Sequence, residues 1–191
     1  MLDAARVVFA RDGFGGASTA AVAREAGVTR GLVHHYFGSR RELFLGVLEE
    51  LAQRLPAAIR IDLDGLPLEE VVLINSTALL DAVERDRDGW IALLGSAGSD
   101  PDVERILDRA RDQAIDKMLV NQGAAVGGDS PELRLLLRVY LGAAEAALAE
   151  WTLHERATRR QAEVIVQRTL LAMVSEVLPR LADEASPGSA P

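Results

Sequence analysis

The chain has 191 residues, 49% of them hydrophobic and 26% charged, and a formal net charge of −8, a balance that supports a real core and argues against disorder. It holds no cysteine, which excludes disulfides, thiol catalysis and cysteine-held zinc. No apolar run approaches the roughly 18 residues needed to span a bilayer, and no basic segment followed by an apolar one opens the chain, so a cytoplasmic protein without a membrane segment is expected.

Strand signals are nearly absent and helical periodicity runs almost throughout. Leu2, Ala5, Val8 and Phe9 make one apolar face of a first helix, which stops at the glycines of "DGFGG". A short helix is predicted from Thr19 to Ala26, capped by Ser18 or Thr19. Gly27 turns the chain, and Thr29 caps a second short helix ending near Tyr36. Ser39, with Glu42 three residues on, reads as the capping box of a longer helix that ends near Pro56. Beyond "IRIDLDGLP" the helices lengthen: Pro67 to Arg87, then 89–97 around Trp90, then one opening at Pro101 with Val103, Ile106, Leu107, Ala110, Ala114 and Met118 on its face. After "NQGAAVGGDSP" come two long helices, about 131–155 and 158–182, and a Pro/Gly/Ser-rich tail. This pattern predicts an all-α protein of about nine helices. An N-terminal three-helix unit with a helix-turn-helix, residues 1–46, is joined to a C-terminal helical bundle, residues 47–183, with a frayed tail at 184–191.

The short helix pair carries the chemistry. Val22, Ala23, Ala26, Val28, Val33 and Phe37 are the residues that must face inward. Ala23, Gly27 and Val33 supply what a helix-turn-helix needs: a small residue where the helices cross, glycine in the turn, and a branched apolar residue inside the second helix. With Val33 and Phe37 inward, Thr29, Arg30, Gly31, His34 and His35 are left on the outside. The helix's amino end is then available to an anion, helped by its dipole. Arg30 has the geometry to grip a guanine edge with two hydrogen bonds in the major groove, and Gly31 lets the backbone approach closely. Thr29, His34, Tyr36 and Arg40 suit phosphates, as do the hydroxyls of Ser18 and Thr19. The net acidity does not oppose this. Residues 1–54 hold seven Arg against six Asp and Glu, a balance of +1, while residues 55–191 hold fourteen Lys and Arg against twenty-three Asp and Glu, a balance of −9. Contact with phosphate depends on the local patch.

Residues 2–48, "LDAARVVFARDGFGGASTAAVAREAGVTRGLVHHYFGSRRELFLGV", resemble the TetR/AcrR family of transcriptional regulators. The shared features run in order: an amphipathic first helix with an Asp-Gly-Phe stop, the Ala-x-x-x-Gly-Val core, an early glycine in the recognition helix, an aromatic pair closing it, and a Ser-Arg start to the next. The resemblance implies a homodimer on a double-stranded DNA operator, with a variable C-terminal region for effector binding and dimerisation. Two departures bear on recognition. The family often has Thr-Leu-Tyr-Tyr-His-Phe where this chain has Leu32-Val33-His34-His35-Tyr36-Phe37, so a hydroxyl is lost at Leu32 and a phosphate-binding tyrosine becomes His34. Leu32 has the character to meet a thymine methyl instead. The basic arm that often precedes the first helix has no counterpart before Leu2.

In the bundle, Trp90, Leu94, Met118, Tyr140, Glu145 and Trp151 are the candidates to line an effector cavity for a small apolar or amphipathic molecule; ordinary core packing is the alternative for each. Glu145, in a small and apolar stretch, either orients a ligand or pairs with an arginine. The acidic runs at 81–88 and 100–116 read as solvated helix faces. Gly142, Ala143, Ala144, Ala146, Ala147 and Ala149 leave little bulk on the penultimate helix. Ile165, Val166, Leu170, Met173, Val174, Val177 and Leu181 give the last one a broad apolar surface. Together they predict a four-helix homodimer interface. The resulting expectation is a ligand-released repressor. Leu43 and Val47, on the helix from Ser39, would transmit the effector's signal. The alternatives are a regulator answering to a protein partner or to no ligand, and a helical enzyme. Three scattered histidines and the absence of a nucleophile–base set argue against the enzyme, and His34 with His35 points about 100° apart, against a metal site. No catalytic residue, metal or cofactor is expected.

Overall fold

Local capping chemistry sets the first four helices. The computed structural model describes residues 1–63, 65–96, 98, 100–122 and 128–185. Helix α1 runs Leu2–Gly16, broken within by Gly13, whose φ of 67° lies in the left-handed region. Ser18 Oγ accepts the Ala21 N–H at the start of α2, Thr19–Glu25. Thr29 Oγ1 accepts the Leu32 N–H at the start of α3, Arg30–Phe37. Ser39 and Glu42 close a reciprocal capping box on α4, Arg40–Ala52. Each cap satisfies a backbone donor that the first turn would leave without a partner, and is worth about 1 kcal/mol. Helix α4 ends sooner than Pro56, and after Gln53 a single turn, α5 at Arg54–Ala58, continues its path.

The bundle follows as α6, Leu68–Arg85; α7, Arg87–Ser96; α8, Pro101–Gln122; and α9, Pro131–Thr152. Then come α10, Arg159–Ala172, a π turn at Met173–Val177 and α11, Leu178–Ala185. The periodicity of the last stretch predicts one even helix; a π turn interrupts it, and beyond the turn Leu178 is still buried in the same cluster as Val166 and Leu170. Taking α5 with α4, and α11 with α10, the described residues form nine helices and no strand. Helix continues to Ala185, past the expected start of the frayed tail; residues 186–191, and residues 123–127 of the expected loop, lie outside the described residues. No described helix is long and apolar enough to cross a membrane.

Two clusters of buried side chains hold the molecule together. The first joins Ala5, Val8 and Phe9 of α1, Val22 of α2 and Val33 of α3 to Leu43, Phe44, Val47 and Leu48 of α4. It continues into Trp90 and Leu93 of α7 and Val103 and Leu107 of α8. The Phe9 and Phe44 rings meet edge to face, centroids 5.2 Å apart. The second cluster lies deeper in the bundle, around Val72, Ile115, Leu133, Leu136, Leu137, Tyr140, Val166 and Leu170. Each fully buried valine or leucine stabilises the fold by about 1.5–3 kcal/mol relative to exposure. Helix α4 is the element common to the N-terminal unit and the bundle.

Ion pairs reinforce that junction, and they correct the expectation of solvated acidic faces. At the α6–α7 corner, Asp86 Oδ2 accepts from Arg6 Nη1 of α1 and from Arg54 Nη1 of α5, both at 2.7 Å. Its side chain is only 11% exposed. Arg41 of α4 donates to Asp100 at 2.9 and 3.0 Å and to Asp102 at 2.5 Å. Glu49 accepts from Arg109 at 3.0 Å. The helical period places these acids outside their own helices but says nothing of which arginines face them. Asp86→Ala leaves two guanidinium groups without their shared carboxylate. It is expected to lower the free energy of unfolding by about 1–3 kcal/mol in urea denaturation; an unchanged midpoint would mean the pairs carry no more weight than exposed ones.

Candidate functional site

The helix-turn-helix is built around three side chains. Val22 and Ala23 of α2 and Val33 of α3 are 0%, 4% and 0% exposed, while Ala26, Val28 and Phe37 are half-buried. Between the helices the Val28 N–H donates to the Ala23 carbonyl at 2.9 Å, closing the end of α2. That closure needs Gly27 at φ 66°, where a side chain would be strained. With Val33 fixed inward, the rest of α3 has no choice of face. Thr29, Arg30, Gly31, Leu32, His34, His35 and Tyr36 are all exposed, as are Ser18 and Arg40; Thr19 is half-buried. The residues singled out in the sequence are therefore open to solvent, Thr19 in part, and none of them is spent on the core. Tyr36 is 65% exposed and Leu32 is 39% exposed, which leaves both side chains open to a partner. The His35 and Tyr36 rings meet edge to face, centroids 5.5 Å apart.

The arginines of the N-terminal unit divide by what holds them. Arg6 and Arg54 bind Asp86, Arg11 binds Asp12, and Arg41 binds Asp100 and Asp102. Arg40 donates to the Ala17 carbonyl at 3.2 Å, which braces the start of α4 against the segment before α2. Arg24 and Arg30 differ: neither makes a hydrogen bond or ion pair among the described residues, and of the two it is Arg30 that stands exposed on the first turn of α3. Its five N–H donors are thus available to a base edge or a phosphate. The capping hydroxyls of Ser18 and Thr29 use a lone pair to hold the helix starts, yet each keeps its O–H for an anionic acceptor. A methyl group built on Gly31 meets only Thr29 Oγ1, at 3.9 Å. Packing within the protein leaves room for a side chain there, so nothing inside the chain requires a glycine at this position.

A second concave site lies in the bundle, a cavity of about 100 Å³ walled by α5, α6, α8, α9 and α10. Met118, Tyr140 and Glu145, three of the six residues expected at an effector site, line it. Trp90, Leu94 and Trp151 do not. Trp90 and Trp151 are buried in the cluster facing α1 and α4, and Leu94 packs against it. Trp90 is 0% exposed and its Nε1–H has no partner among the described residues; the Arg87 guanidinium lies over the Trp151 ring, 5.8 Å from its centroid. Periodicity identifies an inward residue but cannot say which of two interiors receives it. Glu145 takes both readings offered by its sequence: it lines the cavity, and its carboxylate receives Arg111 Nε and Nη2 at 2.8 and 2.6 Å. Asn75, Ser76 and Arg111, also in the lining, went unnoticed. Their signal was available, as polar residues interrupting the apolar faces of α6 and α8.

Comparison with known proteins follows this geometry. The family described as "Bacterial regulatory proteins, tetR family" matches residues 1–47, and that described as "Tetracyclin repressor-like, C-terminal domain" matches residues 70–174. The HTH-type transcriptional regulator BetI of Vibrio atlanticus is 23% identical over 139 residues, 70% of each chain. BetI of Brucella anthropi is 32% identical over 112 residues, 56% of this chain and 57% of that one. Among solved structures, a tetR-family transcriptional regulator from Streptomyces coelicolor superposes with a TM-score of 0.74 at 22% identity, covering 96% of this chain and 85% of that one. The fatty acid degradation regulator FadR of Bacillus halodurans gives 0.69 at 16%, covering 92% and 96%. At these identities the structural likeness concerns the fold. Gly31→Ala is expected to fold normally and to gain up to about 1 kcal/mol of stability from helix propensity, while binding DNA at least several-fold more weakly by fluorescence anisotropy. Unchanged DNA affinity would remove the close-approach role of this glycine.

Proposed function

This chain belongs to the TetR family of bacterial regulatory proteins and is a DNA-binding transcriptional regulator, and from that premise we propose that it is a repressor that holds a palindromic operator as a homodimer and is released by a small apolar or amphipathic effector. The carrying observation is Arg30, a guanidinium without a partner among the described residues, beside an unobstructed Gly31 on the outer face of α3. In this reading α3 enters the major groove. Arg30 takes a guanine edge, Leu32 meets a thymine methyl, and Thr29, His34, His35 and Tyr36 engage bases or phosphates at its margins. Ser18, Thr19 and Arg40 hold the backbone beside it. The protein works in the cytoplasm, where its operator is.

One short helix reads only a few base pairs, so two copies, about 34–36 Å apart, are needed for a site of useful length. The apolar residues left outside on α9 and α10 support the pairing. Leu135 and Val139 are 56% and 53% exposed, and Ile165 and Val164 are 45% and 40% exposed. Further along the face of Leu135 and Val139 come Gly142 and Ala146, both exposed, and a side chain at Gly142 would meet nothing within 4 Å. A second α9 and α10 would close tightly against such a surface. Val166 and Leu170 of the same stretch are buried within the chain, so the proposed interface is narrower than the sequence pattern implies.

The effector site in this reading is the bundle cavity. Leu55, Ala58 and Ile59, on and just after the turn that continues α4, form part of its wall, and Lys117 Nζ holds that turn through the Pro56 carbonyl at 2.7 Å. A ligand that displaces α5 or α6 therefore acts on α4 and on the Asp86 corner, and through them on the angle of α3. To cut operator occupancy a hundredfold it must favour the released conformation by about 2.7 kcal/mol. Selection from random DNA is expected to enrich an inverted repeat with half-site centres about one helical turn apart. The Val139→Glu variant, monomeric by sedimentation, is expected to lose at least tenfold in affinity for the enriched site. Enrichment of an unpaired half-site, or full affinity in a monomeric variant, would overturn the dimeric reading.

A further inference from the structure

The polar groups of the bundle cavity define the charge of what it accepts. Its wall is largely apolar, and most of its polar residues are already engaged. Ser76 Oγ donates to the Leu73 carbonyl at 3.0 Å and accepts from Gln167 Nε2 at 3.0 Å. Asn75 Oδ1 accepts the Arg60 N–H at 2.8 Å, which leaves its Nδ2 free to donate. Arg111, the one cation in the lining, is surrounded. It binds Glu145 at 2.8 and 2.6 Å, and Glu104 and Asp108 at 2.8 Å each, three carboxylates on one guanidinium, a local balance of −2. The Arg111 hydrogen bond holds the Glu104 carboxyl below its usual range, aided by the Gly98 N–H, so that negative charge persists at neutral pH. Lys117, the neighbouring cation on α8, is bound to the Pro56 carbonyl and is absent from the lining.

Tyr140 is the exception to this saturation. It is 6% exposed, lines the cavity, and makes no hydrogen bond among the described residues. Desolvation alone pushes its phenol pKa up, with no hydrogen bond contributing. Among the described residues the polar side-chain atoms sealed from solvent without a hydrogen bond are Trp90 Nε1 and Arg159 Nε. The Tyr140 hydroxyl is not one of them, so it is not wholly sealed, and the residue that carries it lines the cavity. A buried tyrosine O–H usually finds a partner, and a polar group left without one costs stability.

We propose that the effector is an uncharged, mainly hydrocarbon molecule carrying one acceptor oxygen, such as a ketone, ester or ether, which takes the O–H of Tyr140. This rests on the cavity being the effector site. The two groups with free donors, Tyr140 and Asn75, favour an acceptor. A carboxylate would enter beside a surplus of negative charge with no cation to meet it. An ammonium is drawn by the negative surplus but gives the O–H of Tyr140 no acceptor, so it is the competing class that the titration must separate.

The test is calorimetric titration of the full-length protein at pH 7 with three probes of equal chain length: 2-octanone, octanoate and octylammonium. Octanone is expected to bind, with either ion roughly tenfold weaker or worse. Tyr140→Phe is expected to weaken octanone binding by about 2- to 10-fold. Because the hydroxyl makes no hydrogen bond to any described residue, the same variant is expected to melt no lower than the wild type. That combination separates ligand contact from a structural role. Tighter binding of either ion, or equal octanone affinity in Tyr140→Phe, would overturn the assignment of ligand class and leave the cavity as effector site intact. No heat of binding from any probe, with normal DNA binding, would overturn both.

Discussion

One carboxylate joins the three parts of this molecule that must move together. Asp86, at the corner between α6 and α7, is hydrogen-bonded at once to Arg6 of α1 and to Arg54 where α5 leaves α4. Two cations on one mostly buried acid resist separation, because parting them from Asp86 leaves a carboxylate that is only 11% exposed without its compensating charge. The corner therefore fixes the N-terminal unit against α6, and α6 is a wall of the bundle cavity. The Arg41 pairs with Asp100 and Asp102 and the continuous apolar cluster across α1, α4, α7 and α8 serve the same end. In the proposed mechanism this stiffness is what lets a change deep in the bundle reach α3.

The same arrangement explains how an acidic chain presents a surface suited to nucleic acid. Of the seven arginines in the first 54 residues, Arg6, Arg41 and Arg54 are held by carboxylates at the junction, Arg11 by Asp12 and Arg40 by the Ala17 carbonyl, so their contribution is largely structural. Arg30 is exempt, and it sits where the amides of the α3 start add a positive dipole. Recognition in this account depends on a few well-placed groups more than on a broad positive field. The implied nonspecific affinity is low and falls steeply with salt.

How much was legible in the sequence follows from the range of each interaction. Ser18, Thr29 and the Ser39–Glu42 box act within one helical turn, and all three appear where the sequence puts them. Val22, Ala23 and Val33 were readable as inward because the turn at Gly27 permits one crossing of two short helices. Fold class followed from these and from the helical period. Long-range partners were not readable. Asp86 looked like one acid in a solvated run, and only the packed helices bring Arg6 and Arg54 to it. Trp90 and Trp151 were correctly inward but in the wrong interior, since a helix of the bundle faces two clusters along its length. Tyr140, Met118 and Glu145 line the cavity by the same geometry that excludes the tryptophans. The π turn at Met173–Val177 has no evident signal in its residues.

The claim on which the account stands is that α3 reads base edges through Arg30. Fluorescence anisotropy should compare wild type and Arg30→Ala on a selected operator and on scrambled DNA of the same length, across a salt series. The account predicts that the variant loses roughly tenfold or more on the operator, about 1–3 kcal/mol, while its affinity for scrambled DNA changes little. Equal losses on both DNAs would make Arg30 a phosphate contact, and no loss on either would place recognition elsewhere on the molecule.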